Sequence, residues 1–132
     1  MVQLAKKGAR CDYGIFMGAS ATNYEEIVEL SSQVIALKMY LNETFTTLRL
    51  DGVQQWLKHF DHWPKEVPIC AHAEGRTTAA IILLASLSNR SVHICHVATK
   101  EEIEIIKAAK LKASTTYGRR SFSACRPYFS FF

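Results

Sequence analysis

The stretch Val34-Ile35-Ala36-Leu37-Lys38-Met39-Tyr40-Leu41 decides the fold class. It is an apolar run that only one charged residue, Lys38, interrupts. A short continuous apolar run is typical of a strand that is buried on both faces of a sheet. Three further runs of this kind occur along the chain, at Asp12–Gly18, Val67–Ala71 and Ser91–Val97. We therefore predict four buried strands.

Each predicted strand is followed by a segment with helical signals. These candidate helices begin at Asn23, Asp51, Thr77 and Thr99. Asn23 followed by Glu26, and Thr99 followed by Glu102, have the spacing of a capping box at a helix start. Strands that alternate regularly with helices predict a parallel α/β sheet that is covered by its helices.

Two architectures have this order of elements, an open doubly wound sheet and a (β/α)8 barrel. No glycine-rich loop of the GxGxxG or GxxxxGKS/T type follows a predicted strand, which disfavours a nucleotide-binding sheet. A complete barrel takes about 250 residues, whereas this chain has 132. We expect a partial (β/α)8 TIM barrel of four βα units, too short to be a whole enzyme of this fold.

The composition changes abruptly near the end of the chain. After Leu111 the sequence contains no Val, Ile, Leu or Met and is rich in Ser, Arg and aromatic residues. A fifth barrel strand is due in this region, and aliphatic residues should dominate it. We therefore divide the chain into a partial barrel, residues 1–111, and a divergent C-terminal tail, residues 112–132. A frame change, an alternative ending or a natural tail would each produce this pattern.

Composition and charge disfavour several classes of function. The net charge is +4, but the basic residues are spread along the chain without a dense run, which argues against nucleic-acid binding. No apolar stretch reaches the ~18 residues that a membrane span needs, so we expect no membrane association. Four cysteines without a CxxC pair, in a chain of ordinary aliphatic content, indicate a reduced cytoplasmic protein.

Three of the predicted strands end in a residue that could hold a metal, namely Lys38, His72 and His96. Because side chains alternate along a strand, each of the three shares a face with the residue two positions before it. If that face lines the barrel, the three side chains converge at its mouth, where barrel enzymes carry their active sites. The same parity places His93, with Cys95, on the helix-facing side or at the strand start.

Zinc chemistry would explain this combination of residue types. Imidazole is a good zinc ligand, whereas a lysine ammonium has no free lone pair. A buried lysine that reacts with carbon dioxide forms a carbamate, whose two oxygens can bridge two metals. Each residue alone also has a structural explanation, either a hydrogen-bonded histidine or a lysine whose head reaches solvent. We expect His59 and His62, at a helix end and in a loop, to be solvated surface residues.

Three segments resemble the dihydroorotase domain of the large animal protein that begins pyrimidine synthesis. They are Ala36–Phe45 (ALKMYLNETF), Ala71–Glu74 (AHAE) and Val92–Val97 (VHICHV). That protein also carries carbamoyl-phosphate synthetase and aspartate transcarbamoylase, and its dihydroorotase domain is a cyclic amidohydrolase. The likeness runs from about Gly8 to Lys110. It implies that the four strands are strands three to six of the barrel.

The resemblance also implies roles for individual residues. Lys38 falls on the family's carbamylated lysine, which bridges two zinc ions. His72 and His96 fall on the two histidines that bind the second zinc, and Cys95 matches a cysteine associated with an additional zinc site.

Thr44 and Phe45 match the tip of a mobile loop that closes over the substrate. The implied reaction is the reversible cyclisation of N-carbamoyl-aspartate to dihydroorotate, with small molecules as substrates. The family commonly dimerises, so a homo-oligomer is the expected assembly.

The chain also departs from the family. It contains no His-x-His pair, which the family uses for the first zinc, and no aspartate after Asp61, so the family's catalytic Asp has no counterpart. No catalytic residue is retained, and we expect the isolated chain to be inactive, with at most a partial zinc site. The alternatives are an inactive truncated isoform that acts as a binding or regulatory piece, a product that never accumulates, and another cyclic amidohydrolase such as a hydantoinase relative.

Overall fold

The computed structural model describes residues 2–116 and 123–124, with side chains from residue 3 to residue 112. Within these ranges, helices and strands alternate along the chain. The helices are α1 (Val2–Gly8), a 3₁₀ helix (Glu26–Gln33), α2 (Val53–His62), α3 (Arg76–Leu87) and α4 (Lys100–Thr116). The strands are β1 (Phe16–Gly18), β2 (Ala36–Tyr40), β3 (Ile69–His72), β4 (Val92–Cys95) and β5 (Ser123–Ala124).

The strands form one parallel sheet in which they lie side by side in their sequence order. In register, Leu37 of β2 lies beside Ile69 of β3, which lies beside Val92 of β4. A barrel wall has this uninterrupted order, whereas a doubly wound sheet reverses its order at a switch point. The predicted fold class, an α/β chain that forms part of a barrel, is confirmed.

The apolar core lies between the sheet and its helices. One face of each central strand contributes the strand members of this core, which are Leu37, Met39, Ile69, Ala71, Val92 and Ile94. The helices contribute Trp56, Phe60, Ile81, Leu84, Ala85 and Ile106. Burying one large apolar side chain stabilises a fold by about 1.5–3 kcal/mol, so this layer holds the helices on the sheet. The opposite face of the strands is left for polar residues.

The first helical segment differs from the prediction. Residues Glu26–Gln33 form a 3₁₀ helix, and Glu25 takes the N-cap position. The Asn23 side chain is used by the preceding loop instead, because its Oδ1 accepts a hydrogen bond from the Ser20 amide at 2.8 Å and its Nδ2 donates to the Gly18 carbonyl at 3.0 Å. The capping box predicted at Asn23 is therefore wrong.

The second predicted capping box is confirmed. The Glu102 amide donates to Thr99 Oγ1 at 3.2 Å, and the Thr99 amide donates to Glu102 Oε2 at 3.0 Å. These reciprocal bonds satisfy two amides that a helix start otherwise leaves without partners. They explain why α4 begins at Lys100.

The far end of the sheet contains a short fifth strand, in the region where a barrel strand was due but the sequence lacks aliphatic residues. Ser123 and Ala124 pair in parallel with His93 and Ile94 of β4. Helix α4 runs through the predicted boundary at residue 111, and the division of the chain at that point stays a prediction. The remainder of the predicted tail, residues 117–122 and 125–132, lies outside the described residues. In the part of the chain that the structure covers, no helix has the length and apolar character needed to cross a membrane.

Candidate functional site

The carboxyl ends of β2, β3 and β4 meet at one edge of the sheet. Lys38 lies in register beside Cys70, and Tyr40 lies beside His72. His72 lies in turn beside Cys95. Neighbours in register on parallel strands project to the same face, so these side chains form a polar row on the face that the helices do not cover.

Strand β4 has the opposite orientation from the one predicted. Ile94 is 1% exposed and belongs to the apolar core, whereas His93 lies in register beside Cys70 and so joins the polar row. The prediction that His93 and Cys95 face the helices is therefore wrong, whereas the alternative for His93, a place at the strand start, agrees with β4 beginning at Val92. The reason is that the helix layer buries the aliphatic residue of this strand, which turns its neighbours on both sides towards the other face.

His96 reaches the polar row by a turn of the backbone. Strand β4 ends at Cys95, and His96 has a φ of 57°, a left-handed conformation that is uncommon for any residue other than glycine. Its ring is exposed and lies 5.5 Å from the ring of His72, centroid to centroid. The two histidines therefore lie together as the sequence argument expected, although strand parity is not the cause.

The Nε2 atom of the His72 ring has an environment that suits a metal ligand. Nε2 is buried and makes no hydrogen bond within the described residues, although it lies 3.5 Å from Glu74 Oε1. The ring of Tyr40 lies 6.0 Å away, centroid to centroid. Buried polar atoms are nearly always hydrogen-bonded, so an unpaired imidazole nitrogen at a strand end is consistent with a ligand-binding role.

The thiol of Cys95 is strongly acidic. A hydrogen bond with Cys70 is the largest cause, burial opposes it, and Lys38 and His93 add positive charge, so that the pKa falls from 9.0 to about 5. Cys95 is therefore a thiolate at neutral pH. The Lys38 Nζ also lies 5.2 Å from the centre of the Tyr40 ring, so the lysine head is held between a thiolate and an aromatic face.

The predicted metal ligands fit only part of a zinc site. A structural zinc ion takes four protein ligands and a catalytic zinc ion takes three. Within residues 3–112, no group of three or more His, Cys, Asp or Glu side chains is placed to hold a metal ion. His72 and His96 provide a pair of imidazoles, and Lys38 would add an oxygen donor only after carbamylation. The roles of these residues as ligands stay predictions.

Hydrogen bonds from backbone amides to side-chain oxygens join the loops that follow β2, β3 and β4. Asn42 Oδ1 accepts from the Glu74 amide at 2.9 Å. Glu102 Oε1 accepts from the Gly75 amide at 2.8 Å, and Glu102 Oε2 accepts from the Ala98 amide at 3.0 Å. Sequence reasoning assigned Glu102 to a helix cap and missed its bond to Gly75, since nothing local to Glu102 reports a partner in another loop.

Thr44 and Phe45 lie in the loop between β2 and α2. Phe45 is fully exposed, and Thr44 is partly exposed. Arg49 braces the base of this loop, because it forms ion pairs with Glu43 at 3.4 Å and with Asp51 at 2.5 Å. The predicted role of Thr44 and Phe45 in closing over a substrate is not tested by this geometry.

The two histidines expected at the surface have different environments. His62 is exposed, but His59 is 1% exposed, so the prediction is wrong for His59. His59 Nε2 lies 2.8 Å from the Ser20 carbonyl oxygen, and the ring packs edge-on against Tyr24. Burial lowers the pKa of His59, which favours a neutral imidazole. His59 therefore ties α2 to the loop after β1.

The chain is similar to large multifunctional proteins over most of its own length, although no protein-family model matches it. It is 54% identical over 110 residues to the multifunctional protein CAD of Squalus acanthias, a match that covers 83% of this chain and 5% of that protein. It is 49% identical over 108 residues to the multifunctional protein pyr1-3 of Dictyostelium discoideum, covering 81% of this chain and 5% of that protein. The chain thus spans a small part of the length of these curated relatives.

Two solved structures extend the comparison. The inactive dihydroorotase-like domain of a CAD-like multifunctional protein from Chaetomium thermophilum superposes with a TM-score of 0.76 at 31% identity, covering 95% of this chain and 34% of that one. A D-hydantoinase superposes with a TM-score of 0.64 at 19% identity, covering 87% of this chain and 31% of that one. At that identity, the second likeness shows a shared fold alone.

Proposed function

The chain is a relative of the dihydroorotase-like region of CAD multifunctional proteins, and from that relationship we propose that it is a piece of a zinc-dependent dihydroorotase. The reaction of the complete domain would be the reversible cyclisation of N-carbamoyl-aspartate to dihydroorotate, in pyrimidine synthesis. In this proposal the chain supplies one part of the metal centre, namely Lys38, His72 and His96, with Cys95 beside them.

One observation carries the proposal. The rings of His72 and His96 lie 5.5 Å apart at the carboxyl ends of two neighbouring strands, and the buried Nε2 of His72 has no hydrogen bond within the described residues. Ligands at this end of a parallel barrel are the general arrangement of barrel enzymes. The polar row beside the two rings provides a lysine on the preceding strand, where Lys38 lies in register beside Cys70, two residues before His72.

The residues of the chain would have distinct tasks. His72 and His96 would hold zinc, and Lys38 would contribute a carbamate oxygen after its neutral amine bonds to carbon dioxide and releases a proton. Bound zinc would supply a water of lowered pKa and would polarise the amide carbonyl. Phe45, which is fully exposed in the loop between β2 and α2, would cover the substrate and exclude water.

We also propose that the 132-residue chain does not catalyse the reaction by itself. The sequence contains no His-x-His pair and no aspartate after Asp61. The ligands of a first zinc and the proton-transfer group of the family are therefore not supplied by these residues. Conversion of dihydroorotate to carbamoyl-aspartate by the purified chain would contradict this part of the proposal.

The metal site is tested by measuring the zinc content of the purified chain by mass spectrometry of the metal. We expect bound zinc in the parent chain and its loss in Lys38→Ala and His72→Ala. The matched control is His62→Ala, because His62 is an exposed histidine whose Nδ1 lies 2.8 Å from the carbonyl oxygen of Lys58. A chain that is folded by circular dichroism but carries no zinc would mean that these residues form no metal site and that the relationship describes ancestry alone.

A second candidate function has one finding in its favour. The solved relative from Chaetomium thermophilum is an inactive dihydroorotase-like domain. We propose as the alternative that the present chain is likewise an inactive isoform that binds or regulates intact subunits. Retention of zinc in the parent chain would favour the enzyme-derived site, whereas a folded, zinc-free chain that associates with an intact dihydroorotase would favour this alternative.

A further inference from the structure

A single buried carboxylate joins the loops that follow β3 and β4. Glu102 lies in the first turn of α4 and is 2% exposed. Its Oε1 accepts a hydrogen bond from the Gly75 amide at 2.8 Å. Its Oε2 accepts from the Ala98 and Thr99 amides, each at 3.0 Å. One side chain therefore satisfies three amides in two loops.

These loops are the ones that follow the paired histidines. Gly75 lies three residues after His72, and Ala98 lies two residues after His96. Gly75 and His96 have φ values of 53° and 57°. Glycine adopts a positive φ without strain, but His96 keeps this backbone only where surrounding contacts hold it, and the Glu102 carboxylate is a contact common to both loops.

The bond to Gly75 exceeds what a helix cap requires. A capping-box glutamate bonds to the amide of its own N-cap residue, which here is the Thr99 amide. Glu102 also reaches an amide 27 residues earlier in the chain. The hydrogen bond from the Glu102 amide to Thr99 Oγ1 does not involve the Glu102 carboxylate. The Thr99 cap and the link between Glu102 and Gly75 can therefore be altered independently.

We propose that Glu102 is a positioning residue, which sets the separation of the His72 and His96 rings by holding the two loops at a fixed distance. This positioning role deepens the proposed function, because the histidine pair is the part of the metal centre that the chain would supply. Only the consequence for metal binding rests on the proposed function. The separation itself is a property of the chain without metal.

The test compares Glu102→Gln with Thr99→Ala in the metal-free full chain. The glutamine side chain would keep one carbonyl oxygen but would turn an NH₂ donor towards amides that are themselves donors, so one loop loses its acceptor. We expect hydrogen exchange at the Gly75 amide to accelerate by about tenfold, and the nuclear Overhauser effect between the rings of His72 and His96 to weaken. Thr99→Ala removes the cap hydroxyl alone, so it should lower the unfolding midpoint while leaving both signals unchanged.

Two further variants keep the test decisive. Glu101→Gln is the control for charge, because Glu101 is exposed in the same helical turn. Glu102→Asp retains the carboxylate but is shorter by one methylene, so it should stay beside Thr99 and lose Gly75; it replaces Glu102→Gln if that variant does not fold. If the Glu102 variants leave the Gly75 exchange rate and the ring-to-ring Overhauser effect unchanged, Glu102 acts only as a helix cap. The same conclusion would follow if Thr99→Ala changed both signals equally. A zinc-free parent chain would defeat the proposed function and leave this result intact.

Discussion

At the scale of the residue, Cys95 shows how a fold changes the chemistry of a side chain. The ordinary pKa of a cysteine thiol, from which that of Cys95 departs, is 9.0. In the polar row, hydrogen bonding with Cys70 and the charge of Lys38 outweigh the effect of burial, so that the pKa of Cys95 falls to about 5. A thiolate is the reactive form of cysteine towards alkylating reagents.

Cys95 should therefore react with iodoacetamide well below the usual pH range. We expect its labelling rate, followed by peptide mass spectrometry, to rise through a midpoint near its pKa of about 5 and to be level at neutral pH. Lys38→Met removes a cation that lowers this pKa, so it should shift the midpoint upwards. A midpoint at the ordinary thiol value in the parent chain would show that the polar row does not form.

At the scale of the element, Arg90 fixes the end of α2 to the start of β4. Arg90 is 7% exposed, and its guanidinium donates to the Phe60 carbonyl at 2.9 Å, to the Trp63 carbonyl and to the Pro64 carbonyl at 2.8 Å. These acceptors include carbonyls that the end of a helix leaves without intrahelical partners. One side chain thus bonds to three carbonyls at and just after the end of α2.

Arg90→Ala should cost about 3 kcal/mol of unfolding free energy, because buried carbonyls would lose charge-assisted hydrogen bonds. Urea denaturation followed by circular dichroism measures this loss. The control is Lys65→Ala, which removes an exposed cation from the loop that follows α2 and should change stability by under about 0.5 kcal/mol. Equal effects of the two substitutions would contradict the assigned role of Arg90.

Helix α4 should be sensitive to acid through Glu102. Burial raises the pKa of Glu102, but the hydrogen bonds from Gly75, Ala98 and Thr99 lower it more, so the net pKa lies below the usual 4.5. A carboxyl whose pKa is depressed by folding contributes stability above its unfolded value and loses it as the pH falls through the folded value.

The urea midpoint of the parent chain should therefore fall as the pH drops below about 4.5, the unfolded value. Glu102→Gln should be less stable than the parent at neutral pH, and its acid profile should be flatter, because the substituted side chain does not titrate. Parallel acid profiles for the two chains would show that Glu102 is not the titrating group.

At the scale of the whole molecule, the sheet has an exposed apolar edge. Within the described residues β1 pairs with β2 alone, and Phe16 and Ile35 beside this edge are 49% and 52% exposed. A strand edge with apolar side chains favours association with another chain. Self-association of the isolated chain is therefore expected, and the homo-oligomer stays a prediction.

Phe16→Lys should reduce this association, because a charge at an edge strand opposes pairing between chains. Light scattering over a range of protein concentrations measures the effect. Leu87→Lys is the control, since Leu87 is 77% exposed on α3 and lies on a helix instead of the sheet edge. An equal gain in solubility from both substitutions would indicate general surface hydrophobicity instead of edge pairing.

Signals that act between near neighbours in the chain were sufficient to predict strands β1 to β4 and the helical segment after each, although α1 and β5 were not predicted. The apolar runs around Leu37, Ile69 and Ile94 became strands, and the spacing of Thr99 and Glu102 predicted the start of α4. These features depend on local hydrogen bonds and on apolar content, which a sequence displays directly. The identity of the polar residues at the strand ends was visible for the same reason.

Only the tertiary structure decided how those residues face one another. Burial of Ile94 under the helices turned His93 to the polar row, the left-handed turn at His96 brought its ring to His72, and α2 buried His59. The bridge from Glu102 to Gly75 likewise joins residues far apart in sequence. The sequence by itself thus determined the four strand–helix units and the chemical groups at the strand ends, whereas faces and distances depended on packing between elements, which no local pattern encodes.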